Sequence, residues 1–119
     1  MAGLRGNTGT PADFSSLSGV NSIVASETIS DSNLGYLNEV NSGSSVTITI
    51  PNETTLPFTK PKIYVYLRKG TGQVLFAEEA GLTVYGGITE IADTETTTGG
   101  AVSITHSGVN EYYINGKEV

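Results

Sequence analysis

The most constraining feature of this sequence is a series of short segments in which apolar and polar residues alternate. In Ser45–Ile50, the apolar residues Val46, Ile48 and Ile50 alternate strictly with Ser and Thr. Alternation with a period of two places the apolar side chains on one face of a β-strand, whereas an amphipathic helix needs them three and four positions apart. Apolar residues nowhere recur at helical spacing over even a dozen positions. The sequence therefore predicts an all-β fold.

Turn-forming residues separate the strand segments. Two weaker segments, Val20–Ala25 and Glu27–Asp31, precede the stronger ones. The stronger segments are Tyr36–Val40, Ser45–Ile50, Lys62–Arg68, Gln73–Glu78, Leu82–Tyr85, Ile88–Ala92, Ala101–Thr105 and Glu111–Asn115. About 7 to 8 short strands with Gly, Asn and Pro between them are typical of a small antiparallel β-sandwich or barrel. Because Lys69-Gly-Thr-Gly72 has the composition of a turn, we expect the strands on either side of it to form a hairpin.

The first part of the chain has a different composition. Gly, Ser and Pro punctuate it, and its apolar residues, Leu4, Phe14 and Leu17, are isolated from one another. We therefore predict an extended N-terminal arm over residues 1–19 and one β domain over residues 20–119. A chain of 119 residues is long enough for a single core but not for two full domains.

Composition excludes several classes of protein. The chain has no Cys, so it can have neither a disulfide scaffold, nor a thiol nucleophile, nor thiolate-bound metal. Its net charge of −6 argues against nucleic-acid binding, which needs a basic face. The apolar runs are only a few residues long, and the first residues lack the apolar core of a secretion signal. We expect a soluble protein, made in a cytoplasm, that binds no membrane.

The residues that could support catalysis are few. His106 is the only histidine, and no Gly-x-Ser-x-Gly motif presents a nucleophile, so we expect His106 to be a surface turn residue. Glu78-Glu79 and the pair Asp93 and Glu95 could hold calcium, but neither matches the spacing of a calcium loop, and solvated carboxylates are expected instead. The sequence thus predicts no enzyme activity, no cofactor and no metal.

Tyrosines and basic residues offer a candidate binding surface. The alternation in Lys62–Arg68 predicts that Ile63, Val65 and Leu67 face inward and that Tyr64, Tyr66 and Arg68 face outward. Exposed tyrosines can stack on sugars or anchor a protein interface, and the alternative is that they pack against the arm or a second sheet. Tyr112 and Tyr113 should lie on opposite faces of their strand. Lys60, Lys62, Arg68 and Lys69 form either a patch for an acidic partner or a solvated, lysine-protected edge.

Residues 34–119 resemble a known arrangement. An extended strand is followed by an alternating Val/Thr strand that ends at Pro51, and a third strand leads into Gly70-Thr-Gly-Gln-Val-Leu-Phe76. Ala80-Gly-Leu-Thr-Val84 comes next, and Ala101–Thr105 with Tyr112–Gly116 forms a closing pair. This order resembles a small all-β module of tailed-bacteriophage virion proteins, which occurs in tail fibres, head fibres and capsid-surface proteins. The sequence departs from the pattern at Tyr113, where Trp is usual, and in the loop over residues 86–100.

The resemblance implies a bacteriophage virion structural protein without catalytic residues. We expect a capsid decoration, or cement, protein that binds the major capsid protein on the outer shell and self-associates as a homotrimer. Leu4, Phe14 and Leu17 would anchor the arm to the capsid. The alternative is a receptor- or glycan-binding module of a tail or head fibre, with Tyr64, Tyr66 and Arg68 at the surface that meets the partner or glycan. A small glycan-cleaving enzyme is a weaker alternative, because no spacing suggests a pair of converging carboxylates.

Overall fold

The computed structural model describes residues 17–91 and 100–116. It is built of short strands, so the predicted all-β class is confirmed. The strands are β1 (Val20–Ile23), β2 (Glu27–Thr28), β3 (Leu37–Val40), β4 (Val46–Ile50), β5 (Lys62–Arg68), β6 (Val74–Glu78), β7 (Thr83–Tyr85), β8 (Ala101–Gly108) and β9 (Glu111–Gly116). A 3-10 turn over Asp31–Asn33 precedes β3. The predicted strand at Ile88–Ala92 is reduced to a bridge between Glu90 and Leu75.

The strands form two sheets. One has six strands in the order β1-β3-β5-β8-β9-β7, and the other has three in the order β2-β4-β6. Within the described residues, β8 pairs antiparallel with β5 and β9, and the five other strand pairs are parallel. The prediction of an antiparallel architecture is therefore wrong. The physical reason is that the chain alternates between the sheets from β1 to β6, so each strand pairs with the strand two elements later.

The expected hairpin between β5 and β6 is also wrong, because these strands belong to different sheets. Residues 69–73 form a corner that stacks on the preceding corner at residues 41–45. Gly72 N donates to Ser42 O at 2.8 Å, and Gly70 N donates to Val40 O at 3.2 Å. A Cβ atom at either glycine would overlap the backbone of Ser42 or Ser44. These glycines permit close stacking of two corners instead of closing a hairpin.

A single hydrophobic cluster draws on both sheets. The predicted alternation of β4 is confirmed, because Val46, Ile48 and Ile50 are buried. The six-stranded sheet contributes the core face of β5, β8 and β9. Its members there include Tyr64, Tyr66, Val102, Ile104, Tyr112 and Ile114. Burial of these side chains is the main favourable contribution to folding.

The predicted orientation of β5 is wrong. Tyr64 and Tyr66 are fully buried, whereas Ile63 is 44% exposed. Cross-strand pairing places Tyr64 beside Ile104 and Tyr66 beside Val102 on the core face. Both faces of β5 are apolar, so alternation alone does not identify the core face, and a tyrosine ring buries more apolar area than an aliphatic side chain.

The closing strands match their prediction. β8 and β9 form an antiparallel hairpin around Val109 and Asn110, and Asn110 adopts a positive φ of 54°. Asparagine tolerates this conformation better than most residues. At the other end of the chain, Ser18 N donates to Gly35 O and Leu37 N donates to Gly19 O. Residues 17–19 thus run beside β3, while the remainder of the predicted arm, residues 1–16, lies outside the described residues.

Candidate functional site

The tyrosines and arginine predicted to form a binding surface are buried. Tyr64, Tyr66 and Arg68 point into the core face of β5, so their predicted place on a partner or glycan surface is wrong. Arg68 Nη1 donates to Ile91 O and Nη2 donates to Thr71 O, each at 3.1 Å, and Nη1 lies 3.6 Å from Glu90 Oε2. The guanidinium therefore connects β5 to two neighbouring loops.

The basic residues do not form one patch. Lys62 Nζ lies 3.5 Å from Asp31 Oδ1, and Lys69 Nζ lies 3.2 Å from Glu39 Oε1. Arg68 is buried, so only Lys60 of the four is exposed without an ion pair in the described structure. Surface pairs of this kind contribute little to stability, but they reduce the positive charge available to an acidic partner.

Of the three residues predicted to anchor the arm to the capsid, only the last lies in the described part of the chain. Leu4 and Phe14 lie outside the described residues, and Leu17, the first described residue, is half-buried. Their role in capsid binding stays a prediction.

His106 is a core residue, so its expected position in a surface turn is wrong. It lies within β8, is 1% exposed, and its ring stacks on Tyr112 at a centroid distance of 4.3 Å. Phe58 packs edge-on against it at 5.1 Å. Desolvation, aided by the positive charge of Lys62, lowers the pKa of His106. The imidazole is therefore held neutral between two aromatic rings.

Three buried phenols lie on the same core face as His106. Burial is the main cause that raises the pKa of Tyr64 to about 12 and the pKa values of Tyr66 and Tyr112 further. Within the described structure, the three hydroxyl groups and His106 Nε2 have no hydrogen-bond partner. The core face therefore buries large aromatic rings together with polar atoms that, within the described structure, form no hydrogen bond.

Of the carboxylates considered as calcium ligands, Glu78 and Glu79 lie in the described part of the chain. Glu79 Oε1 accepts a hydrogen bond from Asn52 N at 2.8 Å, and this bond is the first cause of the lowered pKa of Glu79. Asp93 and Glu95 fall outside the described residues. Among residues 17–91 and 100–116, no group of three or more His, Asp or Glu side chains could hold a metal ion. No helix in these same ranges is long and apolar enough to cross a membrane.

The outer face of the six-stranded sheet carries a row of side chains that we call the outer row: the exposed Ile63, Tyr113 and Tyr85 and the half-buried Thr105. Ile63 pairs with Thr105, Thr105 with Tyr113, and Tyr113 with Tyr85, so the row crosses four adjacent strands. Tyr85 and Tyr113 are 45% and 43% exposed. Their rings stack at a centroid distance of 4.7 Å with 24° between the planes. The sheet thus presents two aligned aromatic rings and an isoleucine to the exterior.

The centre of this outer face carries no charge, although the chain has a net charge of −6. Its uncharged positions on β5 and β8 are Ile63, Val65, Leu67, Ala101, Ser103 and Thr105. Carboxylates stand at the margins. Glu39 pairs with Lys69, and Glu111 Oε1 accepts a hydrogen bond from Ser107 Oγ at 3.0 Å. Val65 and Ser103 are buried, so the side chains open to a partner are Ile63 on β5 and the Tyr113–Tyr85 pair. Exposed aromatic and aliphatic side chains of this kind are typical of a protein contact.

Part of the outer row could be predicted from the sequence. Tyr112 and Tyr113 lie on opposite faces of β9, as predicted, so an exposed Tyr113 could be expected. The partner Tyr85 could not, because the parallel pairing of β7 with β9 joins strands separated by most of the C-terminal third of the chain.

Comparison with known proteins identifies no relative. No protein-family model, curated protein or solved structure matches the chain. The function must therefore be argued from the residues and their arrangement.

Proposed function

We propose that the chain is a structural subunit of a bacteriophage virion, a decoration protein that binds the outer surface of the capsid through the outer row. The observation that carries this proposal is the alignment of the exposed side chains of Ile63, Tyr113 and Tyr85 along one row of the outer sheet face. The resemblance of the sequence to a module of phage virion proteins is the reason for proposing a virion as the assembly. The major capsid protein is the proposed partner, and the virion surface is the proposed location.

Exposed apolar side chains in water gain free energy when a partner surface covers them. Covering apolar area contributes roughly 25 cal/mol per Å², and aromatic rings supply much area at a small cost in side-chain entropy. The centre of the outer face carries no charged side chain, so it suits a partner surface that is itself apolar at its centre. In the proposed architecture, the two sheets form a sandwich whose core face packs inward, which leaves the outer row as the contact. The predicted arm, with Leu4, Phe14 and Leu17, would add a second contact.

The proposed mechanism is stabilisation by mass action. A subunit that binds the assembled shell but not the free capsid protein stabilises the shell in proportion to its affinity and concentration. A low affinity for each copy is sufficient to stabilise the shell, because a symmetric shell repeats the same contact many times.

The test uses shells of the encoding phage assembled without this chain, and measures bound protein by co-sedimentation. We expect the wild-type chain to bind saturably, and Tyr113→Ser and Ile63→Ser to lose at least about tenfold in affinity. Val109→Ser is the matched control, because Val109 is 63% exposed on the β8–β9 turn, away from the row. Absence of wild-type binding, or equal binding by all three variants, contradicts the proposal.

A second candidate function is glycan binding, and the stacked pair Tyr85 and Tyr113 is the observation that favours it. Two aligned, half-exposed rings offer a platform for the apolar face of a sugar, and Asn115 and Thr83 lie beside them on the same face. A glycan array separates the candidates. Binding that Tyr85→Ala abolishes would favour a receptor-binding module, and a decoration protein should bind no glycan.

A further inference from the structure

Within residues 17–91 and 100–116, no strand pairs with the outer edge of β1. Gly19 O accepts from Leu37 N and Ile23 O accepts from Asn41 N, so the odd-numbered residues of this segment face β3. In a parallel ladder the intervening residues direct their N–H and C=O groups the other way. Val20 and Ser22 therefore point their backbone groups away from the sheet, and no strand of the described chain pairs with them.

In the three-stranded sheet, by contrast, the edge at β6 is covered. Phe76 N donates to Thr89 O and Ile91 N donates to Val74 O, so residues 89–91 close the free side of β6. Natural proteins protect exposed edges with lysine, proline or a bulge. β1 has the sequence Val-Asn-Ser-Ile, without charge and without proline. It therefore carries neither a charged residue nor a proline that would oppose pairing.

Exposed apolar side chains accompany this edge. Val20, on β1, is 58% exposed, and Val24, directly after it, is 68% exposed. Both values exceed the exposure of every residue in the outer row. An open backbone edge and two strongly exposed valines thus coincide on one four-residue strand and the residue after it.

We propose that β1 pairs antiparallel with β1 of a second copy and forms a twofold dimer, in place of the homotrimer that the sequence resemblance implies. A strand edge is complementary to itself, because each copy offers the same N–H and C=O groups of Val20 and Ser22. The absence of charge on β1 allows two chains of net charge −6 to meet there without a like-charge contact at the pairing strand. Pairing also covers Val20 and Val24 of both copies. The inference does not depend on the proposed virion role.

The experiment measures molar mass and dissociation constant by analytical ultracentrifugation of the full chain. We expect a monomer–dimer equilibrium that Ser22→Pro and Val20→Lys each weaken at least about tenfold. Proline at residue 22 removes an outward N–H and leaves the β1–β3 ladder intact, while lysine at residue 20 introduces charge. Val109→Lys is the control, because it changes an equally exposed valine on the β8–β9 turn and should leave the dimer unchanged. Circular dichroism confirms that each variant folds.

Amide hydrogen exchange identifies what covers the edge. We expect the amides of Val20 and Ser22 to be protected at high protein concentration and to exchange freely on dilution. Protection that does not depend on concentration would mean that another segment of the same chain covers β1, and it would overturn the proposal. A wild-type monomer at all concentrations, a trimer, or a dimer that persists in both edge variants would overturn it as well.

Discussion

The two faces of the six-stranded sheet differ in a way that hydropathy alone would not suggest. On β9, Tyr112 is fully buried and its neighbour Tyr113 is 43% exposed, while on β5 the tyrosines are buried and Ile63 is exposed. The core face holds phenols whose hydroxyl groups lack partners, and the outer face holds an aliphatic residue and a stacked aromatic pair. The comparison teaches that contact with the second sheet, rather than residue polarity, decides which face is the core.

The strongest way to break this comparison is to truncate neighbouring tyrosines on opposite faces. Tyr112→Ala removes a buried ring that stacks on His106, and we expect the free energy of unfolding to fall by about 3–5 kcal/mol. Tyr113→Ala removes an exposed ring and should cost about 1 kcal/mol or less. Chemical denaturation measures both values. Equal losses in the two variants would show that the faces are not different in burial.

Alkaline pH offers a second test of the core face. Unfolded tyrosines ionise near pH 10, whereas burial raises the pKa of Tyr64 to about 12 and raises those of Tyr66 and Tyr112 further. The folded state therefore retains protons that the unfolded state loses, and stability falls as pH rises above 10. Each buried phenol contributes up to about 1.4 kcal/mol per pH unit in this range. Denaturation between pH 8 and 11.5, at about half-unit steps, should reveal the decline.

The matched variant for the alkaline test is Tyr66→Phe, which keeps the ring and removes the ionisable group. We expect a shallower decline above pH 10 in this variant, because one buried ionisable group is removed. A wild-type stability that is flat from about pH 8 to about pH 11.5 contradicts the assignment of three buried phenols to the core face.

Acid pH has a smaller expected effect through His106. Burial lowers its pKa in the folded state, so below the unfolded value of 6.5 the unfolded chain binds a proton that the folded chain excludes. Stability should therefore fall as pH decreases below about 6.5, by at most about 1.4 kcal/mol per unit for a single group. His106→Phe should flatten this limb between neutrality and the range where carboxylates titrate. An unchanged limb would assign the acid sensitivity to other groups.

The sequence predicts strands better than their arrangement. The alternation of Ser45–Ile50 identified β4 and its buried face, because polar and apolar residues there are unambiguous. The same argument failed for β5, since Ile63 and Tyr64 are both apolar enough to be buried. The Gly70–Gly72 segment has turn composition whether it closes a hairpin or stacks on another corner, so composition could not exclude the hairpin. The stacked pair Tyr85 and Tyr113 depends on long-range parallel pairing, which no local pattern encodes.

The alternation of the chain between two sheets also has a consequence for how the protein folds. Val20 pairs with Leu37, Leu37 with Val65, and Val46 with Val74, so each of these three parallel pairs closes a long loop that contains a strand of the other sheet. Closing such a loop costs conformational entropy before the strand pair forms its stabilising contacts. Domains rich in contacts between residues distant in sequence therefore fold in milliseconds to seconds. The β8–β9 hairpin, joined by a tight turn at Asn110, is the local element from which folding can start. The β8–β9 hairpin would then organise strands that precede it in the chain.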